Sequence, residues 1–542
     1  MGGHAHAGKS SAGGFRVNLA APSLHSVYWT FQPRSGCFMN RTFHLALPDA
    51  WSRLRFAVLS LITYAYFYQG ADPNQHSRIF LTDALLRRSV DITPDHGYTI
   101  DKSFFHERFL ADKAPGISAL AVPIRAVMGW LDRLVGAGTA VDSERARMHF
   151  LAIVLCGIAG VVSTLWVGDI VESYGANRRE KTLSMVAYGF GTLVFPFSTV
   201  LFGHSFAAML ILACFRVVRG DFGGRLSLRG RSALFGFLGS LTIVTEYPTA
   251  VMIGVLAISL VLGRGGKPSR AIEVVIGGAL GALPLLALHA YYLKVAFGSP
   301  FSMPYSHVFE PVFRMNHDKG LLGINLPSLG GIYGISLSPY RGLLFMCPHL
   351  LLAIFGFAYW LRDGGERDLR LVATLLVAYL LFSSAYYAWD GGGSTGPRHF
   401  IPALAFLSIP FFFFIRRSNW HFWLGAALAA LSVFFMFTST AVLVHQPEGE
   451  VFRSSPLYEV ILPSFFRGEL ALNTQDVRTL GPRADAAYNL GMLAGLKGLW
   501  SLAPLAVLWL GAYLSDIVRS RTRGPAEGGP TRDPPASEVT AR

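Results

Sequence analysis

Charge is scarce in this 542-residue chain: Asp, Glu, Lys and Arg make up 15% of it, against 52% hydrophobic residues and a mean hydropathy of +0.41. A soluble domain carries about a quarter charged residues, so a water-soluble enzyme is excluded at the outset. Cysteine is scarcer still. Cys37, Cys156, Cys214 and Cys347 are scattered, and three of them lie within or beside apolar runs. They read as small hydrophobes, which excludes a disulfide framework and a cysteine-built metal site. The alternation of a transmembrane barrel is absent, as are the n-region and h-region of a signal peptide. No internal repeat or pair of broken helices, of the kind transporter folds carry, is visible. The net charge of +14 would suit nucleic acid, yet most Lys and Arg lie in short loops between apolar blocks, so orientation in a membrane is the better account.

What the chain does have is continuous apolar blocks of roughly 16 to 24 residues, the length that crosses about 30 Å of hydrocarbon. Candidate spans cover 54–69, 148–171, 182–201, 204–219, 231–246, 248–263, 271–293, 342–361, 369–389, 399–416, 420–443 and 497–519. The expected fold is an all-α polytopic membrane protein with about 12 transmembrane helices. The clusters "NRREK" (177–181), "RVVRGDFGGRLSLRGR" (216–231), "GRGGKPSR" (263–270), "LRDGGERDLR" (361–370), "IRRSN" (415–419) and the terminal "RSRTR" fall on one side if both termini are cytoplasmic. One apolar stretch is left out, "GISALAVPIRAVMGWLDRLVG" (116–136). Counting it as a span would turn those basic loops outward. Its Ile117, Leu120, Ala121, Ile124, Val127, Met128, Leu131 and Leu134 share one face, with Ser118, Arg125, Asp132 and Arg133 opposite, as in a helix lying at the interface.

Residues 73–88 make a similar helix, with Leu81, Ala84 and Leu85 as its stripe and Arg87 and Arg88 closing its last turn. The first external loop, 70–147, is therefore expected to hold two surface-lying helices joined by a polar hairpin-like stretch. Two further external loops are long, 294–341 and 444–496, and the cytoplasmic ones are short. The remaining boundaries are a low-complexity N-terminal extension (1–50), a membrane module (51–443), a last span (497–519) and a Pro- and Gly-rich cytoplasmic tail (520–542). Translation starts at Met1 or at Met39. "GGALG" (277–281) offers a small-residue packing face.

The specialised residues gather on the outer side. In "GADPNQHSRIF", Asp72 before Pro73 is what a helix start looks like, and Asn74, Gln75 and His76 then read as ordinary solvated residues. Lys113 and Arg398 alone read as snorkelling anchors. Together they form a different pattern: one carboxylate and two cations at the membrane–water boundary, Arg398 and His399 being carried there by the turn "YAWDGGGSTGPRHF" (387–400). Its glycines allow close backbone approach to a ligand. The carboxylate can take a proton from an acceptor hydroxyl, while the cations hold a phosphate whose charge grows in the transition state.

The order of these parts resembles the GT-C superfamily of membrane glycosyltransferases, particularly family 39, which includes protein O-mannosyltransferases and the lipid A aminoarabinose transferase. "ADPNQHSRIFLTDAL" occupies the place of that group's acidic residue at the start of a surface helix, and "DKAPG" matches its acid–Lys–Pro element with one residue inserted before Pro115. "FGH", "EYP", "FGSPFSMPY", "SPYRGLLFMCP" and "GPRHFIPALAF" follow in the order of a bacterial subgroup, over about residues 54 to 416. The resemblance implies a GT-C fold and inverting transfer of a sugar from a polyprenyl-phosphate carrier on the extracytoplasmic face of the inner membrane. It implies Asp72 as the base or acceptor-orienting group, and Lys113 and Arg398 as ligands of the carrier phosphate. Asp112 corresponds to the acid of the second motif, and His204 stands where relatives often have a second acid. Asn74, Gln75, Glu246, Tyr247, Arg341 and His399 are further candidates for substrate contact.

One carboxylate suffices, because a phosphate leaves without protonation. A glycosidase would want two, and Asp72 with Asp112 could imitate that pair, but Lys113 beside Asp112 points to ion pairing. No cofactor is required and a divalent metal stays an open option; His76, His96 and His106 show no metal-binding spacing. The expected partners are the lipid-linked sugar, membrane lipid and an acceptor that is protein, lipid or polysaccharide, not nucleic acid. Two alternatives stay in view: a transporter or flippase of lipid-linked sugars, and a ligase using a polyprenyl diphosphate, for which His204 and His399 are available.

Overall fold

Helix caps sit where the basic stretches meet the apolar runs. Asn177 begins one such helix with a reciprocal capping box, its side chain taking the Glu180 N–H (3.1 Å) while Glu180 takes that of Asn177 (2.9 Å). Gly220, in the left-handed region at φ +93°, ends another. The computed structural model describes residues 53–70, 72–135, 140–263, 268–446, 455–473 and 486–522, all within the unit Leu47–Arg542. Cys37, the expected N-terminal extension and most of the expected tail lie outside the described residues.

Each of the twelve candidate spans contains helix. In chain order, with the two helices expected at the surface (α2 and α3), these are α1 (Arg53–Ala65), α2 (Pro73–Leu86), α3 (Gly116–Val135), α4 (Glu144–Ser173), α5 (Arg178–Gly191), α6 (Gly203–Arg219), α7 (Leu228–Thr245), α8 (Ala250–Leu262), α9 (Pro268–Phe297), α10 (Leu351–Asp363), α11 (Glu366–Ala385), α12 (Arg398–Ile415), α13 (Asn419–Val442) and α14 (Ala503–Thr522). Among the described residues, six helical segments are long and apolar enough to cross a membrane: α4, α9, α11, α12, α13 and Gly498–Ser515. The other six expected spans, at α1, α5, α6, α7, α8 and α10, are helices of 13 to 18 residues. Of the stretch left out of the expected spans, Gly116–Val135 is helical but is not among the six.

Packing follows composition. α12 is mostly enclosed by other helices, whereas α9 and Gly498–Ser515 are almost wholly peripheral. The "GGALG" glycines bring α9 onto α7: a Cβ on Gly277 would lie 2.6 Å from the Arg229 carbonyl, and one on Gly281 would overlap the Ala233 carbonyl. Cys156, Cys214 and Cys347 are buried and unpaired, as small hydrophobes.

The stretch expected to form the first external loop differs from expectation in one respect. α2 does not lie on a surface; ten of its residues are buried, Asn74, Gln75, His76 and Arg78 included. Its polar residues find partners instead of water. α3 packs on α2 through Ile117, Ser118 and Ala121, while Val127, Trp130, Leu131 and Leu134 stay exposed, and Arg125 is held between Asp83 (3.0 Å) and Glu144 (2.9 Å). Between the two helices lies the hairpin, β2 (Lys102–Phe105) against β3 (Arg108–Ala111), turning through His106 and Glu107 at positive φ. A second antiparallel pair, β1 (Phe67–Tyr68) with β4 (Tyr488–Asn489), ties the end of α1 to the 444–496 stretch.

Candidate functional site

Asp72 is the N-cap of α2, with Pro73 in the first turn. Its Oδ1 accepts the backbone N–H groups of Asn74 (2.8 Å) and Gln75 (3.4 Å), and its Oδ2 accepts the Gln75 side-chain amide (2.7 Å). Gln75 in turn donates to the Gly70 carbonyl (2.8 Å) and accepts from the Leu201 N–H (2.9 Å), so the carboxylate is fixed from behind. Its free side faces a cavity of about 710 Å³. There His445 Nε2 stands 3.4 Å from Asp72 Oδ2. Burial, with the Arg398 charge, holds that imidazole below its ordinary pKa against the pull of Asp72.

The hairpin places the second group. Lys102 pairs with Ala111, so the next residues outward, Asp101 and Asp112, face each other across the ladder. Lys113 sits between them, Nζ 3.2 Å from each carboxylate. Like charges opposed across a ladder are unfavourable unless a cation intervenes. Burial pushes the Asp112 carboxyl up to about 6 despite Lys113. Burial also works against the Lys113 charge, but Asp101 and Asp112 outweigh it and raise the ammonium above its usual value.

Arg398 opens α12 after the glycine turn. Gly391, at φ +84°, lies so close to the Arg398 N–H that a Cβ would be 2.9 Å from it. The close approach expected for a ligand is thus made in part by the loop on itself. Arg398 lies over the Phe202 ring (5.1 Å) and has no ion pair among the described residues; its Nε is buried without a hydrogen-bond partner. His399 packs edge-on to His204 (ring centroids 5.4 Å), and His204 Nδ1 is 3.7 Å from Glu246. Glu246 caps α7 and takes a hydrogen bond from Arg78 (2.9 Å), a pair buried at both ends.

Asp72, Asn74, Asp112, Lys113, His204, Glu246, Arg398 and His399 all line this one cavity. Three other candidates do not. Gln75 stands behind Asp72; Tyr247 is half-buried beside Tyr305 and His289; and Arg341, expected to face the cavity, is fully buried, donating to the Gln446 side chain (3.2 Å). Arg341 therefore braces the segment that carries His445. Of the loop histidines, His76 stacks on Phe80 and His96 on Phe109.

Sequence reasoning missed Arg78, Asp101, Asp390 and His445, along with an aromatic wall of Tyr305, His317, Tyr386 and Tyr387. Arg78 carried a signal: an Arg one turn beyond Asn74, to whose side chain it donates (3.0 Å). His445 carried none. Five carboxylates (Asp72, Asp101, Asp112, Glu246, Asp390) and three cations (Arg78, Lys113, Arg398) thus face the cavity, and Arg398 is the cation left without a carboxylate among the described residues. Such a site can orient a hydroxyl against Asp72, hold an anion at Arg398 and stack a flat or sugar-like group on the aromatic wall. Comparison of the chain with protein-family models and with curated proteins returns no match.

Proposed function

We propose that the chain is an inverting glycosyltransferase of the cell membrane, with about 12 spans in a GT-C arrangement, both termini cytoplasmic, and a polyprenyl-phosphate-linked sugar as donor. The observation that carries this reading is that Asp72, Lys113 and Arg398, from three distant segments, line a single cavity. The acceptor hydroxyl sits against Asp72, which accepts its proton as the oxygen attacks the anomeric carbon. The bond from that carbon to the phosphate oxygen breaks, and the charge left on the polyprenyl phosphate is taken up by Arg398. Lys113 contributes from between its two carboxylates, and His445 stands 3.4 Å from the free edge of Asp72. The buried Arg78–Glu246 pair holds α2 against α7, keeping the acid at the cavity wall.

Purified protein incubated with acceptor membranes and a panel of radiolabelled polyprenyl-phosphate sugars tests this directly. Wild type labels an acceptor, Asp72→Asn loses turnover by about 100-fold or more, and Arg398→Ala raises the donor KM by about tenfold or more. Equal labelling by wild type, Asp72→Asn, Lys113→Ala and Arg398→Ala removes these residues from the reaction.

A further inference from the structure

Residues from three of the basic stretches that orient the chain, 216–231, 263–270 and 361–370, line a second cavity of about 640 Å³. It is lined by Arg219 at the end of α6, Arg231 in the first turn of α7, Arg270 at the start of α9, and the first turn of α11. The same helices reach the first cavity with their other ends: α6 through His204, α7 through Glu246, α11 through the adjoining Tyr386. The length of α6 separates the two cavities by roughly 25 Å.

Its charges divide into committed and uncommitted groups. Arg219 is engaged by Asp221 (3.2 Å), Asp368 (3.4 Å) and the Ser173 hydroxyl (2.9 Å), and Asp368 also accepts from the Tyr174 hydroxyl (2.6 Å). Glu366 lies 3.7 Å from Arg370. Arg231 and Arg270 have no ion pair among the described residues, and the Nε of each is buried without a hydrogen-bond partner. Orienting a chain in a membrane requires only solvated cations in its loops. It does not require guanidinium groups from separate loops to converge on one concavity with buried, unsatisfied nitrogens, an arrangement that is costly until an anion fills it. α11 adds backbone donors there, since its cap, Gly365, makes no side-chain hydrogen bond to its first turn.

We propose that this cavity binds a phosphate-bearing ligand, held by Arg231 and Arg270. Guanidinium groups fit phosphate oxygens bidentately, and the volume exceeds what a single inorganic phosphate fills. The same chemistry is offered by an anionic phospholipid headgroup of the leaflet opposite the candidate active site and by a soluble diphosphate.

The test uses the full chain in neutral detergent with two probes. Pyrophosphate is titrated calorimetrically at physiological salt; separately, retention of phosphatidylglycerol against phosphatidylcholine from mixed micelles is followed by native mass spectrometry. Wild type is expected to bind one of them saturably. Retained phosphatidylglycerol without pyrophosphate binding assigns a lipid, and the reverse assigns a soluble ligand. Arg231→Gln and Arg270→Gln should each weaken that binding by about tenfold, whereas Arg178→Gln, outside the cavity, should not. Wild type binding neither probe overturns the proposal whatever the variants do, as does an Arg231→Gln/Arg270→Gln variant that binds as tightly as wild type.

Discussion

Replacing Asp72 by Asn keeps an N-cap of nearly equal rank while removing the negative charge. It also sets a new amide nitrogen against Gln75 Nε2, which now donates to Asp72 Oδ2 at 2.7 Å. Gln75 cannot flip to relieve this, because its oxygen already accepts from Leu201. Thermal unfolding in detergent should therefore show Asp72→Asn destabilised by only about 1 kcal/mol, with transfer lost; a merely structural Asp72 would lose both in proportion. Asp112 supplies a pH signature. Its carboxyl sits at about 6, above its ordinary 3.8, so as pH falls through about 6 it takes a proton and the charge around Lys113 becomes one unit more positive. A phosphodiester donor keeps its own charge in that range, so its KM should fall from pH 7.5 to pH 5.5. Asp112→Asn should show the low KM at both. The same raised value means this group's contribution to stability is fully present below about 3.8 and is lost as pH rises through about 6.

Among the elements, the α7–α9 contact is the one most dependent on small residues. Gly281→Leu would drive a side chain into the Ala233 carbonyl, and overpacking of that kind costs about 1–3 kcal/mol or more. Its unfolding midpoint should drop well below wild type, whereas Gly254→Ala, with nothing within 4 Å of the added carbon, should match it. Because α7 carries Glu246, the Gly281 variant should lose transfer as well. Helix positions were readable from apolar runs and caps, and the "GGALG" face from its spacing. The burial of α2 was not. Asn74, Gln75 and Arg78 look solvated in a helical pattern, and two of their partners, Leu201 and Glu246, come 126 and 168 residues after Gln75 and Arg78.

Over the whole molecule, the ordered motifs were enough to bring Asp72, Lys113 and Arg398 together, but not to weigh the charges around them. Asp101 became visible only through the hairpin register, and His445 only through the segment that Arg341 and Gln446 brace. Sidedness belongs to this scale. With accessible native cysteines removed, Lys319→Cys should react with an impermeant maleimide in intact cells, and Arg225→Cys only after permeabilisation. Both positions are exposed, so burial would not explain a failure to label. Transfer and transport also part here. A donor doubly labelled, with ³²P in the phosphate and ³H in the sugar, follows both halves of one molecule through the purified, reconstituted protein. Wild type should separate the labels, leaving ³²P in polyprenyl phosphate and ³H in the acceptor, and Asp72→Asn should leave them together. Labels that cross the membrane still joined in wild type would contradict the transferase account.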